Sequence, residues 1–207
     1  MTERHDTSPE PSLEAELFID FANTLHVHDG VPDDRVAGAD ALRAWLAERS
    51  LVAAETSLPR VERALPAFRE LRGLIHDITE RLVDDGRPSP REVQRLNRVL
   101  RAGLHYHRLE PADDGSRFTV GQVGDDLDQA RSAIAGSLAH YVADHPIERL
   151  RICASDDCRW RFVDRSPAGR RRWCDMRTCG NRAKVAAHRA RRRAEPDGAQ
   201  LGEPGQA

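Results

Sequence analysis

The chain has 207 residues and a mass of 23.2 kDa, enough for one core of about 100–150 residues and a small appendage. Charged residues make up 32% and aromatics 5%, and no window approaches the run of about 20 apolar residues that a spanning helix needs, which excludes fibrous and helical membrane classes. The formal charge of −2 conceals a division: residues 149–193 hold 15 Lys and Arg against four acids, a balance of +11, and the remainder carries −13, the pattern of a polyanion-binding module attached to a body with another task.

Residues 1–12 are polar and acidic with two prolines and read as a disordered leader. They lack the basic and apolar regions of a signal peptide, so the cytoplasm is the expected address and the cysteines are expected to stay reduced. From Leu13 to Leu25 the apolar positions Leu13, Leu17, Phe18, Phe21, Ala22 and Leu25 recur at helical spacing. Asp20, Asn23 and Thr24 are polar inside this greasy segment. They are candidates to line a ligand pocket, the alternative being internal hydrogen bonding. His26 and His28 follow in an expected loop, and Asp29 to Gly38 reads as another, with Gly30 and Pro32.

Asp40 to Glu48 predicts a short helix carrying Leu42, Trp45 and Leu46. Ser57 and Pro59 open a longer one that buries Val61, Leu65, Phe68, Leu71, Ile75, Ile78 and Leu82 until Asp85-Gly86, with a kink expected at Pro66. Ser89-Pro90-Arg91-Glu92 has the form of a capping box and starts a helix that ends near Gly103. The period then changes to two. Leu104–Leu109 and Arg117–Val120 flank Pro111–Gly115 as a β-hairpin, with His105 and His107 on one face. A last helix runs from Asp125 or Asp126 to His145-Pro146, the expected domain boundary. Residues 13–146 thus read as a mostly helical domain with one hairpin. They contain no nucleophile–base motif, glycine-rich phosphate loop or H-E-x-x-H, so the chain is not expected to be an enzyme.

Four cysteines, the only ones in the chain, form two C-x4-C pairs: Cys153 with Cys158 and Cys174 with Cys179, fifteen residues apart. Two short loops that each present two thiolates supply the four soft ligands of one structural zinc, a closed site with no position left for catalysis, the alternative being two disulfides. In the spacer, Trp160 and Phe162 alternate with Arg159, Arg161 and Val163, and Ser166–Gly169 turns the chain back through Arg170–Trp173. This predicts a hairpin between the two knuckles, with Trp160, Phe162 and Trp173 as its miniature core. After Cys179 a helix is expected. Ala183, Ala186, Ala187, Ala190 and Ala194 fall on one side, expected to lie against the zinc knuckle, and Arg182, Lys184, His188, Arg189 and Arg191–Arg193 fall on the other. Pro196 and Gly198 release an expected disordered tail, residues 195–207.

Cys179-Gly180-Asn181-Arg182 within this four-cysteine frame resembles the CGNR zinc finger, and Phe18-Ile19-Asp20-Phe21-Ala22-Asn23-Thr24-Leu25 resembles the opening motif of the ABATE domain. The resemblance implies a bacterial stress-response transcription regulator whose treble-clef-like finger, residues 147–194, binds double-stranded DNA; residues 13–146 are then expected to be a sensor, a dimerisation unit or both. The expected fold class is therefore mostly α with a small β-hairpin (α+β), followed by a small four-cysteine zinc finger built from a hairpin and a basic helix. Arg170, Arg171, Arg172, Arg182, Lys184, Arg189 and Arg192 are the expected DNA contacts, mostly to phosphates. The expected partners are duplex DNA, a small-molecule effector and a second copy of the chain, with no membrane. RNA, a ribosome or a protein partner are the alternatives for the finger.

Overall fold

The computed structural model describes residues 16–28, 31–112 and 115–194. The expected leader and tail fall on residues outside these. Among the described residues six α-helices and three two-stranded antiparallel hairpins make the fold: α1 Leu17–Ala22, β1 Leu25–His28, β2 Val31–Asp34, α2 Ala39–Glu48, α3 Leu58–Asp85, α4 Pro90–Ala102, β3 Tyr106–Pro111, β4 Phe118–Val123, α5 Asp126–Asp144, β5 Leu150–Ile152, β6 Arg161–Val163 and α6 Asn181–Ala194.

The short α1 is the hub. Phe18 and Phe21 are fully buried, Phe18 against Tyr141 of α5 at 5.3 Å and Phe21 against Trp45 of α2 at 5.2 Å and Phe68 of α3 at 6.1 Å between ring centroids. Three neighbouring helices thus meet on two aromatic rings, and truncating either to alanine costs about 3–5 kcal/mol. The 28-residue α3 runs unbroken through Pro66 and presents Val61, Phe68, Leu71, Leu74, Ile75, Ile78 and Leu82 to this core. At α4 the capping box forms as spelled: Ser89 Oγ accepts from the Glu92 N–H, and the Glu92 carboxylate accepts from the Ser89 N–H at 2.6 Å. Asp125 caps α5 by accepting from the N–H groups of Leu127 and Asp128.

Two of the hairpins depart from the sequence reading. Leu25, read as the end of a helix, and residues 26–28 and 31–34, read as loop, form the two strands of the β1–β2 hairpin, with Leu25 opposite Asp34 and His28 opposite Val31. Pro32-Asp33-Asp34 has poor strand propensity, and tertiary contacts hold it in place. Arg72, buried in α3, donates twice to the Asp34 carboxylate at 2.7 Å and once to Thr24 Oγ1 at 3.0 Å. The predicted hairpin between the knuckles is replaced by a different one. β6 pairs with β5, which precedes the first cysteine pair, in the register Leu150↔Val163 and Ile152↔Arg161. Cys153–Cys158 is therefore the tip of a hairpin rather than its base. No described helix is long and apolar enough to cross a membrane.

Candidate metal centre and basic helix

The β5–β6 hairpin carries the first cysteine pair at its tip. Within it the Cys153 N–H donates to the Trp160 carbonyl at 2.8 Å and the Cys158 N–H to the Ser155 carbonyl at 2.9 Å. The second pair arrives on the return path, where the Ala154 N–H donates to the Arg172 carbonyl at 2.8 Å. Cys174 is followed by a turn of π-helix, Met176–Gly180, that carries Cys179 into α6. All four Sγ atoms lie within 4.8 Å of one another, with Cys158–Cys174 at 3.6 Å and Cys174–Cys179 at 3.7 Å. Bonds of about 2.3 Å in a tetrahedron place sulfurs about 3.8 Å apart, so this spacing is that of a zinc tetrathiolate and far too long for disulfides. Burial pushes the Cys158 thiol up to about 11 and raises Cys174 further. Without a cation such thiols stay protonated; a dication at their centre reverses that by accepting the thiolates. Trp160 and Trp173 pack on the thiol cluster and shield it, as expected of a miniature core. Phe162 instead lies under the Arg171 guanidinium, 5.0 Å from ring centroid to carbon.

The finger is docked on the helical body through a clasp that the sequence did not reveal. Asn23, at the C-terminus of α1, donates from Nδ2 to the Arg161 carbonyl at 2.8 Å, and the Arg161 N–H donates to Asn23 Oδ1 at 2.9 Å. The side-chain amide thus acts as one more rung on β6. The Arg161 side chain is 4% exposed. It donates to Thr79 Oγ1 at 2.8 Å and reaches Glu80 at 3.3 Å, both on α3, and burial lowers its pKa to about 10. His26 of β1 meets Trp160 edge-on, with centroids 5.1 Å apart. Leu150 of β5 is 1% exposed and belongs to the main core.

Much of the +11 balance is used inside the protein. Arg149 donates to the Ser166 carbonyl at 2.7 Å, and its guanidinium fills the space beside Gly169, where φ is +58° and a Cβ would sit 2.9 Å from Nη1. Arg151 donates to the Gly169 carbonyl, Arg159 pairs with Glu80, and Arg165 pairs with Glu16. Asp164 is 1% exposed. Burial pushes its carboxyl up, but hydrogen bonds from Ser166 and the Arg171 N–H outweigh that and hold it below the usual range.

The candidate DNA contacts divide accordingly. Arg171 is half-buried and braces the knuckle by donating to the Cys174 carbonyl. Arg172 is exposed, stacked 5.3 Å from Trp173. Arg182 is exposed at the root of α6 and reaches Cys179 Sγ at 3.8 Å. Arg170, Lys184, Arg189 and Arg192 are exposed and make no ion pair among the described residues; Arg191 and Arg193 share that state. The alanine side of α6 does not lie on the knuckle as expected: Ala183 is half-buried, but Ala186, Ala187 and Ala190 are exposed. The helix springs directly from Cys179-Gly180 and packs chiefly on the π turn.

Of the candidate pocket residues, Asn23 and Thr24 are buried and bonded internally, Thr24 Oγ1 donating to the Phe21 carbonyl at 2.7 Å. Both nevertheless edge an open pocket of about 400 Å³, together with Asp20, Arg35, Trp45, Arg49 and Trp160. Burial raises the Asp20 carboxyl above its ordinary range, with the Arg49 cation, 3.8 Å away, opposing. The pocket therefore lies where the helical body meets the finger.

Comparison with known proteins adds two matches. A family model named ABATE, described as "Putative stress-induced transcription regulator", matches residues 15–145, and the CGNR zinc finger model matches residues 149–192. Among curated proteins none matches the chain. With the thiol spacing, the second match makes Cys153, Cys158, Cys174 and Cys179 the site of one structural zinc ion.

Proposed function

The chain belongs to the ABATE family and carries a CGNR zinc finger, and we propose that it is a cytoplasmic, stress-responsive transcription regulator that grips double-stranded DNA through α6 and the loop before Cys174. The observation that carries this reading is the contrast in how arginines are used. Those of the body and of the β5–β6 hairpin are mostly paired or buried. Arg170, Lys184, Arg189 and Arg191–Arg193 project from the zinc-held end with no acid beside them among the described residues. Such a one-sided, unneutralised array repels itself and gains most beside a polyanion. A helix of 14 residues is about 21 Å long, enough to lie in a major groove with guanidinium groups toward phosphates and guanine edges. Zinc orients this helix and takes no part in chemistry, so the protein is a binder, not an enzyme. An effector in the pocket beside Trp160 would touch both the body and the finger, giving a route from sensing to DNA.

Competition separates this from the nearest rival, RNA binding. Zinc-loaded protein is titrated with labelled duplex DNA against structured RNA of matched length, with and without a chelator. Preference for duplex DNA that disappears on chelation supports the reading. Preference for RNA, or DNA binding indifferent to zinc, refutes it.

A further inference from the structure

The exposed apolar surface of the body is concentrated on the β3–β4 hairpin. Leu109, Phe118 and Val120 are 64%, 67% and 67% exposed, Tyr106 is 59%, and Leu104, just before the strand, is 74%. Register fixes their arrangement. The partners His107↔Gln122, Leu109↔Val120 and Pro111↔Phe118 share one face, and Tyr106↔Val123, Arg108↔Gly121 and Glu110↔Thr119 share the other. The first face is an apolar strip. On the second, Arg108 Nε donates to Glu110 at 2.6 Å over Gly121, where a Cβ would come within 3.1 Å of the Glu110 carboxylate. The hairpin packs mainly on itself, and a side-chain bond from Gln122 to Gln129 tethers its base to α5. An isolated two-stranded ribbon is marginal in water, and three or more strands with an apolar face are the usual minimum for stability. A patch of this kind marks a contact surface.

The outer edge of β3 says what fits. The Ala112 N–H donates to the Arg117 carbonyl at 2.9 Å, so by the alternation of an antiparallel ladder the pairs 110/119, 108/121 and 106/123 exchange the internal bonds. The backbone groups of His107, Leu109 and Pro111 therefore face outward, and proline, with no N–H to give, stands where none is needed by β4. This edge is complementary to itself. Turned about a twofold axis at Leu109, Arg108 of one copy comes opposite Glu110 of the partner subunit, and the reverse.

We propose that the chain forms a homodimer by antiparallel pairing of β3 with β3, making one four-stranded sheet. Leu109 and Leu109 of the partner subunit exchange two backbone hydrogen bonds, and each His107 N–H donates to the carbonyl of Pro111 of the partner subunit. Two charge pairs form between copies, and the two apolar strips join side by side, each flanking the other's Leu109. A slip of one residue sets Arg108 against Leu109 and inverts the faces, so register is specified. The interface is isologous and closes at two copies. A second copy is favoured over a foreign protein because the edge supplies its own complement in both charge and backbone bonding. The inference rests on this hairpin alone and stands whether or not the finger binds DNA.

Sedimentation equilibrium of the zinc-loaded full chain at tens of micromolar tests it, with circular dichroism and bound zinc as controls on folding. The wild type is expected to be dimeric. Arg108→Glu and Glu110→Arg each set like charges opposite one another twice and are expected to weaken the dimer by roughly tenfold or more. An equimolar mixture of the two variants restores it, because each altered position then meets its opposite on the other copy. The pair within each chain is lost in both variants, so it cannot account for rescue. Leu109→Pro removes an outward N–H that β4 does not use and is expected to be folded and monomeric. A monomeric wild type, variants that remain dimeric, or a mixture that remains monomeric overturns the proposal.

Discussion

Replacing Asn23 by alanine removes both halves of the clasp between α1 and β6. The Arg161 carbonyl loses its donor at 2.8 Å and the Arg161 N–H its acceptor at 2.9 Å. Asn23 and Arg161 are 4% and 3% exposed, and each stranded buried backbone group costs about 1–3 kcal/mol. Two such groups set an upper limit of about 6 kcal/mol. The pocket of about 400 Å³ beside Asn23 opens a path for water, and a water bridging one of the two groups recovers much of that cost. The expected loss is thus about 2–3 kcal/mol. Urea unfolding of the zinc-loaded protein at pH 7, followed by tryptophan fluorescence, measures it. Zinc content should be unchanged, since no thiol is touched. Asn23→Asp sets a buried carboxylate oxygen against the Arg161 carbonyl and should cost at least as much as alanine at pH 7. A loss below about 0.5 kcal/mol, the level of an ordinary surface substitution, refutes the claim that this amide holds the finger to the body.

Further outcomes are expected elsewhere. Burial, with help from the Arg161 charge, lowers the His76 pKa to about 4 while its Nε2–H donates to the Ala22 carbonyl. Below the ordinary value the unfolded chain takes up a proton that the folded one refuses. Stability is therefore present at pH 7 and falls by about 3 kcal/mol as pH drops from about 6.5 to 4. His76→Gln keeps a donor and should flatten that slope in pH-dependent urea melts. Asp34→Asn leaves the Arg72 guanidinium, 5% exposed in its side chain, without its counter-charge, and is expected to cost about 3 kcal/mol at pH 7 in the same assay. In the wild type the Arg72 hydrogen bond holds the Asp34 carboxyl below its ordinary range. That contribution is complete above the ordinary carboxylate pKa and is lost only as pH falls through the lowered value. Chelation should strip amide protection from the knuckles and α6 in hydrogen exchange while α3 and α5 keep theirs, because the thiol cluster and the main core are separate.

Local rules explain why some features were readable in the residues and others were not. The capping box at Ser89, the αL stop at Gly86 and the stripe of α3 are encoded within a few positions of one another, and so is the paired C-x4-C spacing of the metal site. The β1–β2 hairpin is not: Pro32-Asp33-Asp34 becomes a strand because Arg72, about forty positions away, binds Asp34. β5 has three residues, too few to show a period, so its claim on β6 was hidden and Arg170–Trp173 looked like the natural partner. The finger's arginines showed their charge but not their bonds. Arg161 and Arg149 count toward the basic balance of the finger in sequence and turn out to be internal braces. Asn23 stood out as polar among apolar neighbours, and the partner that explains it lies 138 positions further on.

The most direct measurement of the central claim is the salt dependence of duplex DNA affinity for the wild type and for Arg189→Ala/Arg191→Ala/Arg192→Ala, both zinc-loaded. Each phosphate contact adds about 0.9 to the slope of log affinity against log salt concentration. A slope shallower by about 2–3 in the triple variant is predicted, with zinc content and melting temperature retained. An unchanged slope would mean that the arginines of α6 do not face DNA, and the zinc-held helix would then lose the role given to it.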